Sequence, residues 1–582
     1  MHNDRRLARP LLDAETRVGD AIVRALVDAG IDTAFGMPGG NTGPIFSALR
    51  EHAERIRTVL VREEARAGVM AETFGRLAGR PAVAIGQAAF LVHASMGAIE
   101  ALLSSSPMLL LTDLSDGAPY SQHGPYQSGT GDYGAWNAQQ AFGAFCKAVF
   151  VARDPVQAVQ FTQIAIKHAL DGAPGPVAVL YHSSALRGRV GPDSRPLLYA
   201  GPAYYAPPAV EVAPARLDAA VSVLAQAARP VIIAGNGVRV GRAIEALATL
   251  ADTLGAPVAT SAAGKGVFDE TSDLALGVYG NFGTPVANAV VAGADAVLIA
   301  GSKLAPGDTA FENPELLDPR RQVLVQIDVE PRNSSWTFPV ELTLTGQAGA
   351  IMTAMAQRLA ASGIPNEATR RARRAALAAA RDAHGFFDAQ EFTSDAEPIL
   401  PQRIIRELQA ALPGNAIVTC DAGENRLFMM HWFQTTAGNY VQPAGVGGMG
   451  YALPAALAAK HLDPARPAVA VCGDGGFAIA MNSLMTALEE RLPIVAVVFN
   501  NGALGWVKHG QGERNIACDF GAFDHAAIAR AMGCNGIRVD RAADLGPAFR
   551  AALADPRPTV VDVRSSLQET FLKVTSPLVS PR

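Results

Sequence analysis

Along the chain, short runs of β-branched and apolar residues alternate with longer segments rich in Ala and Leu. Runs such as "PAVAIG" (81–86), "PMLLLTD" (107–113) and "GPVAVLYH" (175–182) show no polar alternation, so they predict strands buried on both faces. With "VLV" (59–61) they predict a first unit of parallel strands covered by helices. The stretch "RGRVGPDSRPLLYAGPAYYAPPAV" (187–210) loses that periodicity and gains Pro and Gly, which predicts an interdomain linker. A second unit follows, with strands expected at "PVIIAG" (230–235), "AVLIAG" (296–301) and "VLVQID" (323–328). A third, over roughly 400–570, is expected to hold strands at 416–421, 467–473, 493–500 and 559–564. The pattern predicts an α/β protein of three doubly wound parallel-sheet domains, at 1–190, 208–365 and 395–570.

Composition narrows the partners. The chain has 582 residues, 49% hydrophobic and 18% charged, with net charge −5. Nothing in that balance draws it to nucleic acid or an anionic membrane. The arginine-rich "NEATRRARRAALAAARDAHGFFDAQEF" (366–392) has Ala-rich helical spacing, which reads as a solvated helix face and not as a nucleic-acid patch. The longest apolar runs, such as "IVAVVF" (494–499), are strand-sized, so no membrane span is expected. The opening residues carry no apolar run of signal-peptide length. Cys146, Cys420, Cys472, Cys518 and Cys534 have no paired spacing, so neither a zinc site nor a disulfide framework is expected. A cytoplasmic location is the expectation.

The chemistry starts at "AVAVCGDGGF" (468–477), an apolar run that ends by presenting Asp474 between glycines. A helical stretch (477–492) and a second apolar run ending in Asn500 and Asn501 follow, which predicts a βαβ unit with parallel strands. Asp474 and Asn501 then sit at the carboxyl ends of nearby strands, where open α/β sheets bind ligands. A carboxylate and an amide oxygen are hard donors that suit Mg²⁺, which completes its shell with water and phosphate oxygens. Gly475 and Gly476, opening the helix, leave N–H groups for those phosphates. Read alone, the glycines could equally make a tight turn with Asp474 as a cap; the Asn-Asn pair favours a metal-bridged diphosphate.

Gly473-Asp474-Gly475 followed by Asn500-Asn501 resembles the diphosphate motif of thiamine-diphosphate-dependent enzymes. The resemblance covers nearly the whole chain and is nearest the acetolactate synthase large-subunit branch, which includes oxalyl-CoA decarboxylase. It implies a metal, Mg²⁺, held by Asp474, Asn501 and the main-chain carbonyl of Ala503. It implies that Glu64, in "VLVREEARAGVMAETFGRLAG" (59–79), is the carboxylic acid that hydrogen-bonds the cofactor's far pyrimidine nitrogen. In "PAGVGGMGYALPAAL" (443–457) it implies that the Gly447 carbonyl accepts from the exocyclic amine and that Met449 wedges the cofactor into its bent form. "DAGEN" (421–425) matches a second diphosphate loop, with Gly423 and Asn425 as contacts; Glu424 departs from it, because a carboxylate there must turn away from the diphosphate. The resemblance also implies a homodimer or homotetramer with the active site at a subunit interface.

Other departures fall where substrate would sit. Gln87-Ala88-Ala89-Phe90 replaces a glycine loop, with Leu91, Val92 and His93 after it; Tyr133, Gly134 and Ala135 align with a Phe-Gln-Glu-like position of acetolactate synthases. His509 and Gly510 stand where acetolactate synthases select their acceptor. His93 and His509 are the candidates for proton transfer, His123 and His431 standing behind them, and Trp506 and Lys508 are candidates for substrate contact. Gly235-Asn236-Gly237 after a strand leaves FAD or ADP in the middle domain open. The expected activity is a 2-oxo acid decarboxylating carboligase. A 2-hydroxyacyl-CoA lyase or an oxalyl-CoA-decarboxylase-like lyase stands as the alternative. A non-catalytic cofactor-binding homologue and a plain nucleotide-binding protein are the readings from other classes.

Overall fold

The computed structural model describes residues 9–579 apart from 119 and 209. It forms two compact units, Met1–Pro208 and Ala209–Arg582. The first contains one six-stranded parallel sheet and the second contains two.

In the first unit the sheet runs Arg57–Leu60, Thr33–Gly36, Ala82–Ile85, Met108–Asp113, Pro176–Tyr181, Ala148–Ala152. The inner strands are buried along their whole length, as their apolar composition requires. The expected linker does not behave as one throughout. Arg189–Val190 pairs with Thr16–Arg17, and Tyr199–Ala200 with Arg9–Pro10, both antiparallel. Leu198 and Tyr205 are buried in the same core, so the segment stays with the first unit up to the boundary at 208.

The middle sheet of the chain runs Ala275–Val278, Val258–Thr260, Pro230–Ala234, Ala296–Ala300, Val323–Asp328, Leu342–Thr345. That is the strand order of dinucleotide-binding sheets elsewhere. Here Gly235 and Gly237 serve close packing: a Cβ on Gly235 would lie 2.2 Å from the Gly301 carbonyl oxygen, and the Gly237 N–H donates to that oxygen at 3.0 Å. The arginine-rich segment is helical over Glu367–His384, but it is not simply a solvated face. Arg373 is buried and donates to the carbonyls of Leu254 and Ala227, and Arg374 pairs with Asp252 and Asp273. The guanidinium groups hold the helix against its own domain.

The last sheet runs Tyr440–Val441, Ile417–Cys420, Ala468–Gly473, Ile494–Asn500, Thr559–Arg564, Asn535–Val539, repeating the order of the first. All its pairings are parallel, so its carboxyl ends face one way. The expected helix over 477–492 is two helices, Asp474–Ala480 and Ser483–Glu489. It begins at Asp474, because Gly473 takes the extended cap conformation.

The second unit's two sheets are joined through a buried ion pair. Lys265 Nζ lies 2.7 Å from Glu270 Oε2 and donates to the Phe433 carbonyl at 2.9 Å, while the Thr435 N–H donates to Glu270. His431 Nε2 lies 3.1 Å from the Phe282 carbonyl oxygen, and burial holds the ring's pKa down at about 4 against an ordinary 6.5. A histidine depressed in the folded state protonates first in the unfolded chain. The stability it contributes is therefore present above pH 6.5 and lost as pH falls through about 4. His431→Gln is expected to flatten that acid-side loss by about 2 kcal/mol, read from urea melts across the range. An unchanged slope would remove His431 as its source.

All five cysteines are free and buried. No described helix is long and apolar enough to cross a membrane.

Candidate cofactor site

The last sheet ends its strands at Asp421, Asp474, Asn501 and Ser565, around the point where the strand order reverses between Ile417–Cys420 and Ala468–Gly473. There lies a cleft of about 310 Å³. Its lining includes every cofactor-facing residue expected from the third domain: Gly423, Asn425, Gly447, Met449, Asp474, Gly475, Gly476, Asn501 and Ala503.

Asp474 is buried at the start of its helix. Its Oδ1 accepts from the Gly475 N–H at 2.8 Å and its Oδ2 from the Gly502 N–H at 2.7 Å. Burial pushes its pKa up to about 6, against those two bonds. Asn501 Oδ1 accepts from the Ala503 N–H at 3.1 Å, so the Asn-Asn turn is braced internally. The two oxygen-bearing side chains thus present themselves from adjacent strands at one sheet edge.

Glycine is demanded at specific points. Gly423 has φ +100° as the cap of helix Glu424–Trp432, and Gly447 has φ +67°, both left-handed backbone. A Cβ on Gly475 would lie 2.9 Å from Met449 Cε, and one on Gly476 would lie 2.9 Å from the Asp421 carboxyl. The floor of the cleft is therefore bare backbone beside Met449. A hard-oxygen pair, a floor of bare glycine backbone and an apolar wedge together fit a metal-bound diphosphate with a ring system attached.

Asp421 is a residue the sequence reading passed over. It is fully buried, and its Oδ1 accepts from the N–H groups of Ala422 and Gly450 while Oδ2 accepts from Ala452, each at 2.9 Å. It thereby ties the 421–425 loop to the 447–452 segment. Its position directly after an apolar strand was the available signal, and the same rule points to Ser565 and Ser566, which also line the cleft. Asp421→Asn turns an amide N–H toward a backbone donor and is expected to cost about 2–4 kcal/mol of stability by chemical denaturation. A loss below half a unit would show that the loops hold without it.

Glu424 does turn from the cleft through one oxygen: Oε1 accepts from the Phe571 N–H at 2.7 Å and meets His509 Nδ1 at 2.7 Å. His509 Nε2 is 3.1 Å from the Leu567 carbonyl oxygen, so both ring nitrogens are engaged inside the protein. His509 itself does not line the cleft. Trp506 does, while stacking on Phe571 at 5.0 Å and 12°. Lys508 is paired with Asp519.

In the first unit, Glu64 opens helix Glu64–Ala78 just beyond strand Arg57–Leu60. It is buried, whereas Glu63 is exposed enough to pair with Arg66 at 3.1 Å. A Cβ on Gly86 would lie 3.2 Å from Glu64 Cγ, so Gly86 clears the space the carboxyl occupies. His93 sits exposed on the turn Val92–Ala94; Phe90, His123 and Tyr133 are exposed too.

Comparison with known proteins agrees with the fold along the chain. Residues 16–132 match the N-terminal TPP binding domain of thiamine pyrophosphate enzymes, 217–355 their central domain, and 421–563 their C-terminal TPP binding domain. The chain is 31% identical to a probable 2-ketoarginine decarboxylase of Pseudomonas aeruginosa, over 94% of this chain and 93% of the relative. It is 27% identical to a probable acetolactate synthase large subunit of Methanocaldococcus jannaschii, over 94% and 91%. It is 28% identical to a sulfoacetaldehyde acetyltransferase of Alcaligenes xylosoxydans, over 92% and 90%. With all three domains matched in order, the chain belongs to the thiamine pyrophosphate enzymes.

Proposed function

We propose that this thiamine-diphosphate enzyme is Mg²⁺-dependent and acts on 2-oxo acids, as a decarboxylating carboligase of the acetolactate synthase kind. The observation that carries the reading is the convergence of Asp474, Asn501 and the Gly475–Gly476 backbone on one cleft that Met449 and Gly447 also line. When bound, the cofactor supplies an electron sink for the carbanion left as a bond next to a carbonyl breaks. The chain's own residues do the rest. Asp474, Asn501 and the Ala503 carbonyl would hold Mg²⁺, with Gly423 and Asn425 beside the diphosphate. The Gly447 carbonyl would accept from the exocyclic amine, and Met449 would support the ring system. Glu64 holds a proton at the far pyrimidine nitrogen. A homodimer is the smallest assembly implied by the resemblance, and the location proposed is the cytoplasm.

Relatives named as an acetolactate synthase, a sulfoacetaldehyde acetyltransferase and a 2-ketoarginine decarboxylase support a 2-oxo acid or aldehyde substrate class without separating its members. The test is product analysis by mass spectrometry after supplying pyruvate, longer 2-oxo acids and acyl-CoA donors to the Mg²⁺-loaded protein. Acetolactate from pyruvate establishes the carboligase. An aldehyde alone makes the enzyme a decarboxylase. Turnover confined to acyl-CoA donors would overturn the 2-oxo acid reading in favour of a CoA lyase.

A further inference from the structure

A carboxyl group inside a diphosphate cleft calls for a compensating charge, and Glu424 has one partner that can supply it. Glu424 is buried and lines the cleft. Its Oε2 points toward Gly505, where an added Cβ would lie 2.5 Å from it and 3.3 Å from Asn501 Nδ2. That oxygen is thus the one beside Gly505 and the Asn501 amide, while Oε1 is bound to Phe571 and His509. His509 is the ionisable side chain hydrogen-bonded to the Glu424 carboxyl.

The hydrogen bonds fix how many protons the pair carries. The Leu567 carbonyl can only accept, so His509 Nε2 bears a proton. The Nδ1 to Oε1 contact at 2.7 Å needs one more proton between them. Whether that proton sits on the ring, making imidazolium beside carboxylate, or on the carboxyl, beside a neutral ring, the pair as a whole has no net charge. Without His509, a bare carboxylate would face the polyanion at close range and in part-buried surroundings.

We propose that Glu424 and His509 form a charge-neutral positioning pair for the diphosphate end of the cofactor, His509 contributing the proton that lets a carboxyl stand there. This rests on the thiamine-diphosphate reading of the cleft. The pair also fastens two segments that frame the site. His509 is on helix Gly505–Gln511, while Leu567 and Phe571 follow strand Thr559–Arg564. Phe571 is stacked in turn on Trp506 of that same helix. His509 accordingly acts through Glu424 rather than on substrate.

The experiment measures thiamine diphosphate affinity at saturating Mg²⁺ and neutral pH by titration calorimetry on the full chain. Three variants are compared with the wild type: His509→Asn, Glu424→Gln, and both together. His509→Asn keeps a donor near Oε1 but removes the shared proton, and is expected to weaken binding about 30-fold or more. Glu424→Gln is expected to weaken binding less than His509→Asn does, by about tenfold or less, since it removes the charge although its amide cannot both accept from the Phe571 N–H and donate to Nδ1 where Oε1 now meets both. The double variant is expected to recover to within about threefold, because no uncompensated charge remains. Unchanged cofactor-free melting temperatures exclude misfolding as the cause. A structural contact alone would leave the double variant at least as weak as His509→Asn, and that overturns the pair. Strong loss in Glu424→Gln alone would make Glu424 a direct metal ligand, and also overturns it. A wild type that takes up no thiamine diphosphate overturns the cofactor reading itself, which the variants' differences cannot do.

Discussion

Asp474→Asn is expected to lose thiamine diphosphate binding almost entirely in the presence of Mg²⁺, with affinity falling about 100-fold or more. The substitution keeps the volume of the side chain and removes its charge. Mg²⁺ binds hard anionic oxygen, and Asp474 supplies the proposed site's only full negative charge, Asn501 and the Ala503 carbonyl being neutral donors. The amide also places an N–H against one of two backbone donors, Gly475 or Gly502, that now meet carboxylate oxygens at 2.8 and 2.7 Å. The thermal shift on adding cofactor and metal gives the readout. Ligand at about one hundred times its dissociation constant stabilises the wild type by about 2.7 kcal/mol, and a variant bound about 100-fold more weakly retains about 0.4 kcal/mol. The cofactor-free chain tells binding from folding. Burial holds the Asp474 carboxyl up at about 6, so at neutral pH it is mostly ionised, at a cost that a bound cation relieves. The unliganded variant sheds that cost but gains the clash between its amide N–H and a backbone donor, so its own cofactor-free melt is the reference for its shift. A wild-type thermal shift in Asp474→Asn would remove this residue from the metal site.

Strands buried on both faces announce themselves because nothing polar interrupts them: Ala82–Ile85, Met108–Asp113, Ala468–Gly473 and Ile494–Asn500 all fall inside the apolar runs that predict them. The unannounced strands are short or at edges. Tyr440–Val441 has two residues, and Asn535–Val539 is an edge strand, half-buried and polar in part. Asp474 and Asn501 were legible because consecutive strands of one βαβ unit bring them together, a local rule of chain geometry. Asp421 was not, since its meaning lies in three backbone N–H groups, two of them supplied by a segment about thirty residues on. The Glu424–His509 contact crosses a still longer separation, and sequence showed only two departures with no sign that they answer each other. The linker at 187–210 was misleading for a related reason. Its Pro and Gly content is that of a spacer, but its pairing partners are the chain's opening residues.

Glu64→Gln is expected to lower turnover about 10²–10³-fold while changing cofactor affinity only a few-fold, the range that proton transfer by a positioned side chain commands. Sequence offers two adjacent glutamates, and the structure separates them. Glu63 caps helix Glu64–Ala78 in extended backbone and reaches Arg66, half in solvent, whereas Glu64 is turned inward beside Gly86. Gln keeps the shape and an acceptor oxygen, but it cannot hold and release the proton that the proposed role at the far pyrimidine nitrogen requires. Binding and turnover should therefore come apart: calorimetry with thiamine diphosphate and Mg²⁺ stays near wild type while kcat falls. Glu63→Gln serves as the neighbouring comparison, since Glu63 is partly exposed and pairs with a buried Arg66 to which a glutamine can still offer an amide oxygen. Its turnover should remain within about threefold of wild type. If Glu64→Gln turned over normally, the carboxyl assignment would fail, and with it the reason for Gly86 to leave that space open. If Glu63→Gln were the inactive variant, the helix would have to begin its catalytic face one residue earlier than its burial indicates.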